Sequence, residues 1–124
     1  MSQPSNTVSL HPYFKIKPGK LDTVRGLLPA FVARTQTEAK CLWYDFTLDG
    51  DIVFCREAYI GAEGVAEHLD NVGALLEEML RHADLERLEL HGPAAELDKL
   101  RPRCGPLNPK WFVHQCGIAK AGGV

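Results

Sequence analysis

The 124-residue sequence predicts an α+β fold, and three patterns carry that prediction. Several segments alternate apolar and polar side chains, as half-buried strands do, and two longer segments repeat apolar residues at helical spacing. Asp49-Gly50, a common hairpin turn, lies between two of the alternating segments. The resulting order is strand, helix, strand, strand, helix, strand, which is that of a ferredoxin-like split βαβ unit with an antiparallel sheet. An extra C-terminal helix and strand follow this unit.

The first half of the chain supplies one strand, one helix and a hairpin. Residues 7–17 alternate, with Val8 and Leu10 on one side and His11 and Tyr13 on the other. Residues 20–38 carry apolar residues at helical spacing. Two strands within residues 41–59 then flank Asp49-Gly50, so that paired residue numbers sum to 99.

The second half supplies the remaining elements. Apolar spacing predicts one long helix over residues 62–82, then a strand over 84–92. A short helix over residues 94–100 should end before Pro102, and residues 110–116 read as a fifth strand. We expect a single domain with a core at 8–92, an extension at 93–118 and loose ends at 1–6 and 119–124. We also expect the fifth strand to reach across to a partner subunit.

Composition excludes several classes of function. The charged fraction is 24% and the formal net charge is −2, without a block of Lys or Arg, so neither nucleic acid nor a membrane surface is an expected partner. No apolar run is long enough to span a bilayer, and the first residues lack a secretory signal pattern. The four cysteines show no C-x-x-C spacing, which favours free thiols and a cytoplasmic location. We find no motif for a metal or a cofactor and expect neither.

The hairpin raises the question of what covers its second face. Both of its faces are strongly apolar, yet the helices can cover only one. We therefore expect a homodimer in which the second face packs against another copy of the chain. Asp45 and Arg56 fall on that second face as diagonal neighbours, and we expect an ion pair there with Trp43 stacked beside Arg56.

Glu57 and His68 are the candidate catalytic residues. Glu57 shares the helix-covered face with Tyr44, Tyr59 and Phe46, where burial would raise its pKa toward that of a useful base. His68 lies in the apolar stripe of the long helix that crosses this face, and Asn71 follows one turn later. These groups form either an acid–base set in a pocket or a hydrogen-bonded part of the core. His11 and Tyr13 are further candidates for substrate contacts.

Two segments resemble the antibiotic biosynthesis monooxygenase family. RTQTEAKCLWYDF is similar to the family segment E-P-G-C-x-x-Y, and CREAYIGAEGVAEHL is similar to its E-x-W strand end followed by His-Leu. The matching positions are Glu38, Cys41, Tyr44, Glu57, Tyr59 and His68, and the resemblance covers about residues 8–92. The chain has Ala39-Lys40 in place of Pro-Gly, and Tyr59 in place of Trp.

The resemblance implies a dimeric α/β barrel with a pocket in each subunit between sheet and helices. Some members oxidise phenols or quinols with O₂ and without metal or flavin. Haem degradation is not expected, because this chain has Glu78 where the haem-degrading members have the ligating His. The leading hypothesis is a cofactor-independent monooxygenase-like enzyme acting on a small aromatic or enolisable substrate. A non-catalytic dimer that binds a small ligand or a protein, and an isomerase-type member, are the alternatives, so the sequence leaves open whether the protein is an enzyme.

Overall fold

The computed structural model describes residues 6–120 and confirms the α+β, ferredoxin-like prediction. The sheet has the order β2-β3-β1-β4-β5, in which the first four strands are antiparallel neighbours. The elements are β1 (Thr7–Ile16), α1 (Leu21–Thr35), β2 (Cys41–Asp49), β3 (Ile52–Ile60), α2 (Gly61–Asn71), α3 (Gly73–His82), β4 (Ala83–Gly92), α4 (Ala94–Cys104), a short 3₁₀ turn (Gly105–Leu107) and β5 (Lys110–Val113).

The helices cover one face of the sheet and bury two apolar clusters there. Even-numbered residues of β1 enter both clusters because side chains alternate along a strand. One cluster joins β1 and β4 to α2 and α4, and includes Val8, Leu90, Val65 and Leu97. The other joins β1 and β3 to α1 and α3, and includes Phe14, Val53, Phe31 and Met79.

The hairpin turn lies one residue later than predicted. Asp49 pairs with Ile52, so the turn residues are Gly50 and Asp51 and paired numbers sum to 101. Gly50 has a φ of 60°, and a positive φ at the first turn position is the pattern of a type II′ turn. Asp51 also forms an ion pair with Lys15, at 2.9 Å. Because the register moves by two, most side chains keep the predicted face.

The predicted long helix is two helices, α2 and α3, separated at Val72. Both the Nε and Nη2 atoms of Arg34 donate to the main-chain oxygen of Asn71, at 3.2 and 2.9 Å. This oxygen is one that a continuing helix would use for its own hydrogen bond, so the contact with Arg34 supports an end of α2 at Asn71. Gly73, a poor helix former, then begins α3.

The C-terminal extension differs from its prediction in three ways. The helix α4 continues past Pro102 to Cys104, which is buried together with Leu97 and Leu100. Packing of this face outweighs the single hydrogen bond that proline removes. The strand β5 ends at Val113, before the predicted residue 116, and pairs in parallel with β4 of its own chain. A helix between two strands allows this parallel placement.

Within residues 6–120, no helix covers the second face of the sheet. Trp43 and Phe54 on this face are half-buried, and Asp45 pairs with Arg56 directly rather than diagonally, at 2.9 Å. Trp43 lies opposite Ala58, so the predicted stacking on Arg56 is wrong. The cation–π contact described for residues 6–120 is that of Arg101 on Trp111.

The predicted loose ends are only partly described. Residues 1–5 and 121–124 lie outside the described residues, whereas the main-chain oxygen of Asn6 accepts a hydrogen bond from Gly61 at 2.8 Å. Between residues 6 and 120, no helix combines the length and the apolar character that a bilayer crossing requires.

Candidate active site

His68 is the centre of a buried polar cluster between the sheet and the helices. Its apolar neighbours on α2 turn it toward β2 and β3, and its side chain is only 3% exposed. The imidazole lies between two tyrosine rings, with centroid distances of 5.1 Å to Tyr44 and 5.0 Å to Tyr59. The rings hold the imidazole in one orientation and keep water from it.

Glu38, which follows α1, holds one nitrogen of this imidazole. The Nδ1 atom of His68 lies 2.9 and 3.1 Å from the two carboxylate oxygens of Glu38. The amide of Asn71 donates to the same carboxylate at 2.8 Å. An ionised carboxylate can only accept hydrogen bonds, so this contact favours the tautomer with the proton on Nδ1 and a free lone pair on Nε2.

Glu57 lies on the opposite side of the imidazole. Its Oε1 atom is 3.5 Å from Nε2 of His68 and accepts a 2.6 Å hydrogen bond from the Tyr59 hydroxyl. Burial raises the pKa of Glu57, whereas a protonated His68 and the side chains of Tyr59 and Cys55 would oppose this shift. The imidazole is thus placed between two carboxyl groups, of which Glu57 is the one favoured in its neutral form by burial.

Tyr44 forms the outer wall of the cluster. Its ring packs against Phe46 at a centroid distance of 5.3 Å, and its hydroxyl lies near the side chains of Thr35 and Cys55. Burial raises the pKa of the Tyr44, Tyr59 and Cys55 side chains above their ordinary values. These groups can therefore act as neutral hydrogen-bond donors rather than as anions.

The structure brings together most of the residues that the sequence singled out. Glu57, Tyr44 and Tyr59 each contact His68, and Tyr59 also bonds Glu57. Two other candidates lie one step further out, Phe46 behind Tyr44 and Asn71 behind Glu38.

His11 and Tyr13 are not part of this cluster. As odd-numbered residues of β1 they point to the other face of the sheet, where both pack against Phe54. Strict alternation along β2 would place Cys41 on that other face together with Trp43. A bulge between Cys41 and Trp43 turns it to the helix side instead, where burial raises its pKa to about 11.

Three residues of the cluster had no assigned role in the sequence prediction. Glu38 was noted only as a match to a family position, although a carboxylate that directly precedes a buried strand is a usable signal. Cys55 and Thr35 gave no signal, because their contacts depend on how α1 packs against the hairpin.

Access to His68 is closed in this structure. None of the four cavities described for residues 6–120 is lined by His68 or Glu57. Contact with a substrate therefore requires movement of Tyr44 or of the adjoining ends of α1 and α2. No three His, Cys, Asp or Glu side chains among the described residues are grouped to hold a metal ion.

Comparison with known proteins places this architecture in a family. MupZ from Pseudomonas fluorescens is similar over almost the whole chain, with 34% identity, a TM-score of 0.90, and coverage of 96% of this chain and 98% of MupZ. A Caulobacter crescentus protein classed with the antibiotic biosynthesis monooxygenases has the same fold, with 17% identity, a TM-score of 0.63, and coverage of 69% of this chain and 88% of its own. The chain belongs to the family of MupZ, and it shares the fold of the antibiotic biosynthesis monooxygenase structures.

Three structures named as antibiotic biosynthesis monooxygenases match only part of this chain. One of them has 20% identity and a TM-score of 0.59. The match includes 67% of this chain and 92% of the monooxygenase. MupZ, in contrast, is matched along nearly its full length. The scan against protein-family models and the search of curated proteins found no match.

Proposed function

We propose that the protein is a cofactor-independent enzyme of the monooxygenase type that acts on a small aromatic or enolisable molecule. The observation that supports this proposal is the imidazole of His68, held on Nδ1 by Glu38 and facing Glu57 through Nε2. A base oriented by a carboxylate on its far side is a common arrangement for proton abstraction.

In the proposed reaction, Nε2 of His68 removes a proton from a methylene carbon that neighbouring aromatic or carbonyl groups make acidic. The neutral hydroxyl of Tyr44 stabilises the negative charge on the substrate oxygen, while the hydroxyl of Tyr59 keeps its hydrogen bond to Glu57. The carbanion then transfers its electrons to O₂. One oxygen atom enters the substrate as a carbonyl, the other leaves as water, and the substrate supplies all four electrons, so no outside reductant is needed.

We also propose that the protein is a homodimer in the cytoplasm. The uncovered sheet face carries Trp43 and Phe54, with Phe112 42% exposed near its edge. An equivalent face of a second copy is the simplest cover for such a surface. All four cysteines are free thiols, which fits a reducing compartment.

The test uses a panel of phenols and 1,3-dicarbonyl compounds with two measurements. Oxygen consumption reports the complete reaction, and deuterium exchange from solvent without O₂ reports proton abstraction alone. We expect His68→Ala to reduce both by about 10²-fold or more. His82→Gln is the matched control, because His82 bonds Glu78 at the end of α3, away from the cluster. Turnover that survives His68→Ala would contradict the proposal.

One observation favours the alternative of a non-catalytic ligand-binding dimer. His68 is almost fully buried with Nδ1 already bonded, as in a structural core histidine. This alternative predicts neither oxygen consumption nor exchange with any compound on the panel. It also predicts that the main effect of His68→Ala is a loss of stability.

A further inference from the structure

A row of ionisable side chains crosses the middle of the uncovered sheet face. In order from β2 to β5, the row consists of Asp45, Arg56, His11, Glu89 and Lys110. The register on either side of His11 places it opposite Arg56. The row therefore reads acid, base, imidazole, acid, base from one edge of the sheet to the other.

The signs of these charges are reversed about the centre of the sheet. The strand β1 is central, with two strands on each side, so His11 is the midpoint of the row. Read from the opposite end, the row presents a base wherever it had an acid. Two copies of the row are therefore complementary in charge only when they face each other in opposite directions.

The direction of a twofold axis decides how two such rows meet. Sheets packed face to face lie about 10 Å apart with nearly aligned strands, a distance that an Arg and a Glu side chain span together. An axis parallel to β1 reverses the partner's row, so that every charge faces its opposite. An axis perpendicular to β1 instead places each charged residue against its own copy, where the two charges repel.

His11 is the residue that meets its own copy on an axis parallel to β1. Its imidazole is half-buried, and its Nε2 atom lies 2.9 Å from the Ser9 hydroxyl. Burial and the neighbouring His91 lower the pKa of His11, which keeps the ring neutral at pH 7. The row thus carries an uncharged side chain at the position where a charge would face itself.

The ends of the row have capacity for contacts with a partner. Arg56 donates to Asp45 through Nε and Nη2, at 3.3 and 2.9 Å, which leaves its Nη1 group for a second carboxylate. Both side chains are more than half exposed. Lys110 is also exposed and forms no ion pair within residues 6–120.

The neighbouring row of side chains fits the same arrangement by size. It consists of Trp43, Ala58, Ser9, His91 and Phe112. Reversal about β1 sets Trp43 against the partner's Phe112, and the small Ala58 against the partner's His91. Aromatic rings then meet beside the charged row, and a small side chain faces a bulky one.

We propose that the charged row fixes the arrangement of the homodimer, with the twofold axis nearly parallel to β1. Asp45 then faces the partner's Lys110, and Arg56 faces the partner's Glu89. This arrangement rests on the homodimer proposed above and specifies which residues meet across it.

Chemical cross-linking of the wild-type protein tests the outer contact. A carbodiimide joins a carboxylate to an amine where the two are in direct contact. Asp45 and Lys110 lie on strands four positions apart, roughly 19 Å within one chain, so a link between them forms between subunits. We expect mass spectrometry to detect this link. Lys110→Gln should remove it, whereas Lys15→Gln, at an exposed lysine of the same face, should not.

Subunit exchange tests the direction of the row. The variant Asp45→Lys with Lys110→Glu keeps the net charge and restores both outer contacts with its own copy. Mixed with ¹⁵N-labelled wild type, it should form mixed dimers at below about one tenth of the total in native mass spectrometry, against about half for random pairing. The reason is that each mixed dimer sets like charges against each other twice.

Contacts within one chain are the same in pure and mixed dimers, so they cancel from this comparison. Arg25→Glu with Glu77→Lys, at exposed positions of the helix layer, is the matched control and should mix at random. Random mixing of the Asp45 and Lys110 variant, or an excess of mixed dimers, would overturn the arrangement and leave the homodimer intact. A wild type that is monomeric at micromolar concentration would overturn both.

Discussion

Glu57 is the residue whose surroundings are most unusual for its chemistry. It is 5% exposed, and the Tyr59 hydroxyl is its closest donor at 2.6 Å. Because burial raises its pKa, the folded protein binds its proton more tightly than the unfolded chain does. The stability that Glu57 contributes is therefore fully present below its pKa in the unfolded chain. It is lost as the pH rises through its pKa in the folded protein.

Replacement of Glu57 by Gln tests the direction in which this contribution to stability changes with pH. Gln keeps an oxygen that accepts from Tyr59 but never ionises, so the variant should be more stable than the wild type at pH 8, by about 1–3 kcal/mol. The difference should shrink toward pH 4. Denaturant unfolding across this pH range measures it. Glu89→Gln is the control, and its stability relative to the wild type should change with pH in the opposite direction. The reason is that the hydrogen bond with His91 lowers the pKa of Glu89. An advantage of Glu57→Gln that does not change with pH would contradict the assignment.

Tyr59→Phe tests the partner of this carboxyl group. Loss of the hydroxyl leaves Glu57 with one hydrogen bond fewer in a buried site, which should destabilise the protein by about 1–3 kcal/mol. The loss should be greater at pH 8 than at pH 5, because the ionised carboxylate needs the donor more. Tyr13→Phe, on the other face of the sheet, should change stability much less at either pH.

Among the elements, the ends of α1 and α2 meet beside His68. Arg34 donates to the main-chain oxygen of Asn71, and the Asn71 amide donates back to that of Arg34 at 2.8 Å. These exposed contacts join the two helices beside the closed cluster. Opening there is less costly than unfolding of the core, so we regard it as the route by which a substrate reaches His68.

Arg34→Lys should loosen this junction. Lysine cannot make the two parallel contacts to Asn71, so the amides of Val72 and Leu76 should exchange with solvent faster. Native-state hydrogen exchange followed by NMR measures this effect. Arg25→Lys, at an exposed position of the same helix, is the control. Unchanged protection at Val72 in Arg34→Lys would assign the helix ends to another contact.

At the scale of the whole molecule, the sheet face with Trp43 and Phe54 decides the quaternary structure that we propose. A charge placed at the centre of an apolar interface costs far more than the same charge in water. Phe54→Lys should therefore convert the dimer to a monomer in light scattering at micromolar concentration. Leu80→Lys, at an exposed position in the helix layer, should leave the dimer intact. A dimer that survives Phe54→Lys would place the interface elsewhere.

The amino-acid sequence by itself determined which side chains share a face. Alternation along β2 and β3 placed Glu57 with Tyr44 and Tyr59, and helical spacing turned His68 toward them. These assignments were correct because side-chain direction follows from local backbone geometry. The assignments hold although the hairpin register differs from the prediction by two residues, because a shift of two leaves each side chain on the same face of the sheet.

Only the tertiary structure decided the features that depend on distant hydrogen bonds. The end of α2 at Asn71 follows from Arg34, 37 residues earlier, and the orientation of His68 follows from Glu38, 30 residues earlier. The parallel placement of β5 beside β4 likewise depends on how α4 packs across the core. Periodicity in the sequence describes one element at a time, so contacts between elements that set helix ends, strand partners and hydrogen-bond pairs lie beyond it.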